Sequence, residues 1–163
     1  MKWQSILSDC CGESAAEHRF RDNICLTIPA KSLHPVLGRL KKEAGFDMLV
    51  DITAVDYLEY PDAADRFGVI YCLLDTNSGQ RLMIRVLLNE PDLQLPTAVD
   101  LWRGADWLER EVFDMFGIRF EGHPDLRRIL MPDEFTSFPL RKDYPLKGRG
   151  ERHNFEVITR AES

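Results

Sequence analysis

Residues 66–88 read RFGVIYCLLDTNSGQRLMIRVLL, and two strands joined by a turn account for the whole stretch. Asp75-Thr76-Asn77-Ser78-Gly79 is a run of turn formers, whose side chains bond nearby backbone or, in Gly79, tolerate a positive φ. Apolar, β-branched and aromatic residues flank it on both sides. A strand over 66–74 and a strand over 80–88 are therefore expected to form a hairpin. In the second strand Leu82, Ile84, Val86 and Leu88 alternate with Met83, Arg85 and Leu87. That pattern predicts one well-buried face and one partly covered face.

The rest of the domain follows outward from the hairpin. Upstream, 48–57 is a further strand with Met48, Val50, Ile52 and Ala54 on one side, separated from the hairpin by a polar, Pro-containing loop at 59–65. Residues 32–44 form a helix: Leu33, Val36, Leu37, Leu40 and Ala44 share one face, Ser32 is placed to cap it and Gly45 to end it. Residues 20–28 form the first strand, with Ile24, Leu26 and Ile28 alternating with Cys25 and Thr27, and Pro29 stopping it. Residues 1–18 are a short helix or a loosely held lead-in. Downstream, 89–96 is a loop with two prolines. Strand, helix, three strands and helix give too few helices for a doubly wound sheet. The expected class is α+β: a two-layer domain over 1–117, with a mainly antiparallel or mixed four-stranded sheet and helices on one face. An extended tail over 118–163 follows.

Composition sets the outer bounds. With 163 residues, 44 % apolar and 29 % charged, the chain can bury a core without disulfides or metals. The apolar runs 69–74 and 86–88 fall far short of the roughly 20 residues that span a bilayer. Acidic residues and a glycine interrupt the N-terminus too early for a signal peptide, so an intracellular protein is expected. The net charge is −6; from Gly117 onward nine Lys/Arg stand against eight Asp/Glu, leaving twelve against nineteen before it. No basic footprint for nucleic acid or anionic lipid results. Cys10, Cys11, Cys25 and Cys72 fit no zinc or iron–sulfur spacing. Cys25 and Cys72 read as core thiols, and Cys10-Cys11 as an exposed pair near a mobile terminus.

Helix and tail meet in ADWLEREVFDMFGIRFEGHPDLRRILMPDEFTSFPLRKDYPL, residues 105–146. Asp106 and Glu109 make an Asp-x-x-Glu capping box that starts a helix at Trp107, and Gly117 sits where a left-handed residue ends it. Leu108, Val112, Met115 and Phe116 form its core stripe, bordered by Glu111, while Trp107 and Phe113 point elsewhere. Two readings of its charges stand. The blander, favoured on residue types, is a solvated face with a weak Arg110–Asp114 pair. The sharper pairs Glu111 or Asp114 with Arg127 or Arg128 of the tail. The tail itself, with Pro124, Pro132, Pro139 and Pro145, has the makeup of a segment that lies across another surface rather than folding on itself. Its apolar groups have little of their own to bury against, so order before assembly is not expected.

Catalytic patterns are thin. Glu121 and Asp125 flank His123, which invites a metal or acid–base reading. His123-Pro124 fits a turn better, and His18, His34 and His153 supply no ligand-like pair. No G-x-G-x-x-G follows the first strand, and neither G-x-x-x-x-G-K-[ST] nor G-x-S-x-G occurs.

The helix and tail resemble the thirty-kilodalton subunit family of respiratory complex I, the C subunit of the bacterial proton-pumping NADH:quinone oxidoreductase. The family signature is E-R-E, two residues, an acid, two apolar residues, six of any kind, His or Lys, three more, then R-R. Here it reads Glu109-Arg110-Glu111, Asp114, Met115-Phe116, His123 and Arg127-Arg128, with every spacing met. A second block is matched by Phe138-Pro139-Leu140-Arg141-Lys142-Asp143-Tyr144-Pro145-Leu146. The resemblance covers the C-terminal third; the strand order upstream is compatible with it. It implies a non-catalytic subunit of the hydrophilic arm, with flavin and iron–sulfur clusters in partner subunits and no cofactor of its own. It implies packing on the forty-nine-kilodalton D subunit, which helps form the quinone site, and a peripheral place on the cytoplasmic face of the cell membrane. Membrane contact would come only through the complex. On that resemblance Glu109, Arg110, Glu111, Asp114, Gly117, His123, Arg127, Arg128, Pro139, Arg141, Lys142 and Asp143 are the expected subunit-interface residues. Related subunits occur in membrane-bound hydrogenases and in the ferredoxin-linked photosynthetic complex, so the equivalent position in such a complex is the alternative. A stand-alone enzyme using Glu121, His123 and Asp125 is the remaining one.

Overall fold

The computed structural model describes residues 2–151. Its centre is the predicted hairpin, β4 (Phe67–Leu74) and β5 (Arg81–Leu88), paired antiparallel from Phe67↔Leu88 to Leu74↔Arg81. Asp75 builds the turn by accepting from the N–H groups of Asn77 and Ser78 and from the Ser78 hydroxyl. On the far side of β4 lies β3 (Met48–Asp56), antiparallel, with an irregularity between Leu49 and Asp51. On the far side of β5 lies β2 (Asn23–Ile28), parallel. The helix α2 (Leu33–Glu43) makes the β2-to-β3 crossover, since β2 and β3 sit on opposite sides of the hairpin.

The sheet has five strands, in the order β1-β2-β5-β4-β3, one more than the four expected. The expected first strand is a hairpin of its own: β1 (Ala16–Phe20) and β2 flank a two-residue turn in which Arg21 takes a φ of 54°. Exposed at every position, β1 carries none of the apolar alternation that marks a half-buried strand. The sheet is mixed, as the expected class allowed.

Helices cover one face only. Leu26, Ile28, Ile52, Val69, Tyr71, Leu82, Ile84 and Val86 point into a core shared with α2, with α1 (Lys2–Cys11) and with α3 (Ala105–Phe116). The N-terminal helix is no loose lead-in, because Trp3, Ile6 and Leu7 are buried in that core. Cys10 and Cys11 are half-buried against it rather than exposed. Conversely, Cys25 and Cys72 are not core thiols. They alternate with Leu26 and Tyr71 and so stand on the opposite, uncovered face, half-exposed.

Two helix starts also differ from expectation. Ser32 makes no side-chain cap; its hydroxyl donates to the Cys10 carbonyl and so ties α2 to α1. Gly104, not Asp106, precedes α3, and Asp106 lies in its first turn. Glu109 therefore does not close a capping box and is turned to another use. The C-terminal end is as read, with Gly117 left-handed at φ 78° and its N–H donating to the Phe113 carbonyl.

The chain does not leave the domain at residue 117. The strand β7 (Arg119–Glu121) pairs in parallel with β6 (Gln94–Pro96), which closes the end of the α3 layer. Residues 122–151 then fold back over α3 and the end of the sheet. The expectation of a tail unsupported by its own domain is thus overturned for residues 118–151; residues 152–163 lie outside the described ones.

Candidate functional site

Asp114 is the hub on which the tail is fixed. It lies in the third turn of α3 with its side chain fully buried. Its Oδ2 accepts the backbone N–H groups of Ile129 at 3.0 Å, Leu130 at 2.7 Å and Met131 at 2.8 Å. Its Oδ1 accepts Arg128 Nη1 at 2.6 Å. Burial alone would raise this carboxyl's pKa; the N–H groups of Met131, Leu130 and Ile129 and the Arg128 guanidinium outweigh it and hold the group below the usual carboxylate range. The sharper of the two charge readings is therefore the one formed. The Arg110–Asp114 pair is not.

The two arginines complete the seam from opposite directions. Arg128 also donates to the carbonyls of Asp114 and Ser137 and lies over the rings of Phe135 and Phe138. Arg110, on α3, donates Nε to the Arg127 carbonyl and Nη2 to the Arg128 carbonyl, both at 3.2 Å. A guanidinium presents several donors in a fixed fork, which suits it to collecting carbonyls of an extended strand that has no sheet partner. Arg127 points out and pairs with Asp125 at 2.8 Å, and Glu111 is exposed.

The second block docks at the end of α3. Gly117 is required there twice. Its φ is unfavourable for other residues, and a Cβ would lie 2.6 Å from the Phe138 ring and 2.8 Å from Arg141 Nη2. Arg141 donates Nε to the Phe116 carbonyl at 2.6 Å, one of the unsatisfied acceptors of a helix end, and Nη1 to Glu90 at 2.8 Å. Its guanidinium sits between the rings of Phe138 and Phe67. Half-buried Pro139 precedes Leu140, whose N–H donates to the Met115 carbonyl. Tyr144 closes edge-on against buried Phe135, with centroids 5.8 Å apart.

A second buried carboxylate fixes the tail to the sheet. Asp56, at the end of β3, accepts the N–H groups of Leu58 at 3.0 Å and Lys142 at 2.9 Å. Burial pushes its pKa up, but the N–H groups of Lys142 and Leu58, with Arg66, bring it below the usual range. Arg66 links Asp56 at 3.4 Å, Glu90 at 3.0 Å and Asp143 at 2.7 Å. Lys142 contributes its backbone; its side chain is exposed. Asp56, Arg66, Glu90 and Phe67 were not anticipated. No local pattern marks them, because Asp56 and Lys142 are 86 residues apart.

Glu109 is buried in the layer beneath. Its Oε1 accepts the Ala98 N–H at 2.6 Å and its Oε2 the Thr97 hydroxyl at 2.5 Å. Burial dominates those two donors and pushes its pKa to about 7. The Tyr71 hydroxyl, buried and without a hydrogen-bond partner, faces the same region and has its pKa raised by burial and by the Glu109 charge.

His123 is a fastener too. Asp125 N–H donates to Nδ1 at 3.0 Å, which leaves Nε2–H to donate to the Asp106 carbonyl at 3.2 Å. Both ring nitrogens are committed and the side chain is fully buried. Asp125 is paired with Arg127, and Glu121 is exposed on β7. The Glu121, His123 and Asp125 trio is not assembled into a site.

Beside the exposed Glu111, Arg127 and Lys142, four large apolar side chains face outward around this seam: Trp107, Leu130, Leu140 and Leu146 are each more than half exposed. Among the described residues no helix is long and apolar enough to cross a membrane.

Comparison with known proteins agrees with the signature. The family described as respiratory-chain NADH dehydrogenase, 30 Kd subunit, matches residues 26–150. An NADH-quinone oxidoreductase C subunit from Trichlorobacter lovleyi is 49 % identical over 130 residues, 80 % of this chain and 79 % of the relative. An NADH-quinone oxidoreductase subunit 5 from Thermus thermophilus is 46 % identical over 130 residues, 76 % of this chain and 62 % of the relative. Among solved structures, a trypsin-resistant fragment of Nqo5 superposes with a TM-score of 0.62 at 37 % identity, covering 77 % of this chain and all of the fragment. A chain of an archaeal membrane-bound sulfane sulfur reductase superposes with a TM-score of 0.73 at 26 % identity, covering 96 % of this chain and 91 % of that one. The chain belongs to the thirty-kilodalton subunit family of the respiratory-chain NADH dehydrogenases.

Proposed function

We propose that this chain is a non-catalytic subunit of the peripheral arm of a proton-translocating NADH:quinone oxidoreductase, and that it packs on the forty-nine-kilodalton subunit beside the quinone site. The observation that carries the reading is the direction in which the signature residues point. Asp114, Arg110, Arg128, His123 and Arg141 turn inward and fix residues 122–146 on α3. The prolines and buried anchors hold an extended surface in shape, and Trp107, Leu130, Leu140 and Leu146 are left for a partner. A surface ordered in advance binds without the on the order of 1–2 kcal/mol per residue that ordering a free chain costs. The signature then supports the interface from below rather than making most of its contacts. Flavin and iron–sulfur clusters belong, on this reading, to other subunits, and the chain sits on the cytoplasmic face.

The likeness to the sulfane sulfur reductase chain, over nearly the whole length, favours a second reading: the same position in a membrane complex with a different electron donor or acceptor. Mild-detergent purification of the tagged chain from its native membranes, with mass spectrometry of what accompanies it, separates the two. The primary reading expects a homologue of the quinone-site subunit together with flavin and iron–sulfur subunits. A homologue of that subunit that keeps nickel-ligand cysteines, or a sulfur-reducing module, supports the second. Recovery of the chain alone, from a preparation in which other complexes stay intact, contradicts both.

A further inference from the structure

Along its central strands the outer face of the sheet, opposite the helices, is more apolar than a solvated face requires. Antiparallel and mixed sheets with one wet face ordinarily alternate apolar and polar residues along each strand. Here the apolar and thiol side chains at outward positions of the two central strands are Ile70, Cys72, Leu74, Met83 and Leu87, joined by Cys25 on β2, all half-exposed; Gly68, Arg81 and Arg85 fill the remaining outward positions. At the two edges Phe20 is 62 % and Met48 46 % exposed. The register places Cys25, Met83 and Cys72 side by side across three neighbouring strands. Within the described chain, cover comes only at one end, where the 57–65 loop curls over the sheet and Tyr57 lies against Gly68.

Two charges stand at the margins of this face, Arg81 at the start of β5 and Asp51 beside Cys72 on the edge strand β3, and one stands at its centre. Arg85, in the middle of β5 between Thr27 and Ile70, donates Nε to the Thr27 hydroxyl at 3.0 Å. Among the described residues no carboxylate lies within ion-pair distance of it. It forms the floor of a notch of about 280 Å³ walled by Tyr57, Tyr60 and Leu87, with Asp62 and Asp65 at the loop rim. A largely apolar surface with a half-buried, unpaired guanidinium restricts what can cover it. Any partner that excludes water from Met83 and Leu87 also desolvates Arg85, and that is strongly unfavourable unless the partner brings an anion.

We infer that this sheet face is a second docking surface, taken by a polypeptide segment of a neighbouring subunit that lays apolar side chains on the Cys25–Met83–Cys72 row and places a carboxylate on Arg85. A basic group one step along the segment meets Asp62 and Asp65, so the charges fix the register while the apolar row supplies area. The inference rests on the chain being a subunit of a complex. It adds a contact on the side of the domain away from the α3–tail seam.

Cys25 and Cys72 are native reporters of that face. The test is maleimide labelling, read by mass spectrometry, of the solubilised complex and of the isolated full chain. The expected result is labelling of both thiols in the isolated chain and an order of magnitude or more slower labelling in the complex, because access governs the rate. Arg85→Glu is expected to restore labelling and to weaken retention of the neighbouring subunit on the order of 30-fold, with Arg85→Lys close to the parent. Thermal unfolding of the isolated variants shows that the domain still folds. Equal labelling in complex and isolated chain overturns the inference and leaves the proposed function standing. So does full retention of partners by Arg85→Glu. Protection that appears in the isolated chain as its concentration rises assigns the face to a second copy, and overturns it as well. Absence of the chain from any complex would instead count against the proposed function, and is seen at the purification step.

Discussion

The β4–β5 hairpin and the 122–146 segment are fixed to the same domain by different physics. The hairpin is local and apolar. Its strands are joined by a short turn, and Val69, Tyr71, Ile84 and Val86 are fully buried. The segment is held instead at long range, by two buried carboxylates that collect backbone N–H groups and by four arginines that collect carbonyls and carboxylates. Apolar burial is non-directional and tolerates substitution of similar volume. A buried carboxylate with four donors does not, since removing it strands every donor at once. The sheet gives the domain its stability, whereas the seam gives the outer surface one shape.

That contrast breaks most sharply at Asp114. Asp114→Ala leaves Arg128 and three N–H groups without their acceptor, and a cost of about 3–5 kcal/mol is expected. Limited proteolysis should then cut within 126–146 while the hairpin stays resistant; loss of both together would show that seam and sheet are one cooperative unit.

Acidity separates the regions further. Asp114 and Asp56 have lowered pKa values, so their contribution is present above the unfolded value of 3.8 and is lost as pH falls through the lower folded value. Glu109 has the opposite sign. Its pKa rises from 4.5 to about 7, so the native state holds a proton that the unfolded chain gives up, and stability falls as pH climbs through that window. The span corresponds to about 3 kcal/mol. Urea unfolding of Glu109→Gln should lose this slope between pH 4.5 and 7, and an unchanged slope would remove Glu109 as its source.

Gly117→Ala sharpens the comparison from the backbone side. The left-handed φ costs about 1–2 kcal/mol for a residue with a Cβ, and the Phe138 ring must move as well. Arg141 should lose its place on the Phe116 carbonyl, which crystallography of the variant would show. The smallest effect belongs to Arg127. Its exposed pair with Asp125 should change isolated-chain stability by less than about 1 kcal/mol, so any larger effect of Arg127→Ala on assembly reports a partner contact.

The sheet was legible because its signals are local. The hairpin follows from turn residues and alternation, and the α3 terminus follows from Gly117. Even the outer placement of Cys25 was implicit in its alternation with Leu26, although apolar character pointed to the core. The seam was legible only as a pair of readings, of which Asp114–Arg128 formed. The rest was hidden because periodicity carries no information about partners far apart in the chain. Asp56 meets Lys142 across 86 residues, and Glu109 in an Asp-x-x-Glu frame looks like a cap until the Thr97–Ala98 segment is seen above it. The tail's composition, read as that of an unsupported segment, is instead that of one with its cover built into α3.

Hydrogen exchange on the isolated full chain tests that account most directly. If the seam forms before any partner arrives, the amides of Ile129, Leu130 and Met131 exchange slowly in the parent and fast in Asp114→Ala, while β4 and β5 stay protected in both. Exchange of those three amides in the parent at the rate of an unstructured peptide would contradict it, and would mean that the partner, not Asp114, orders the segment.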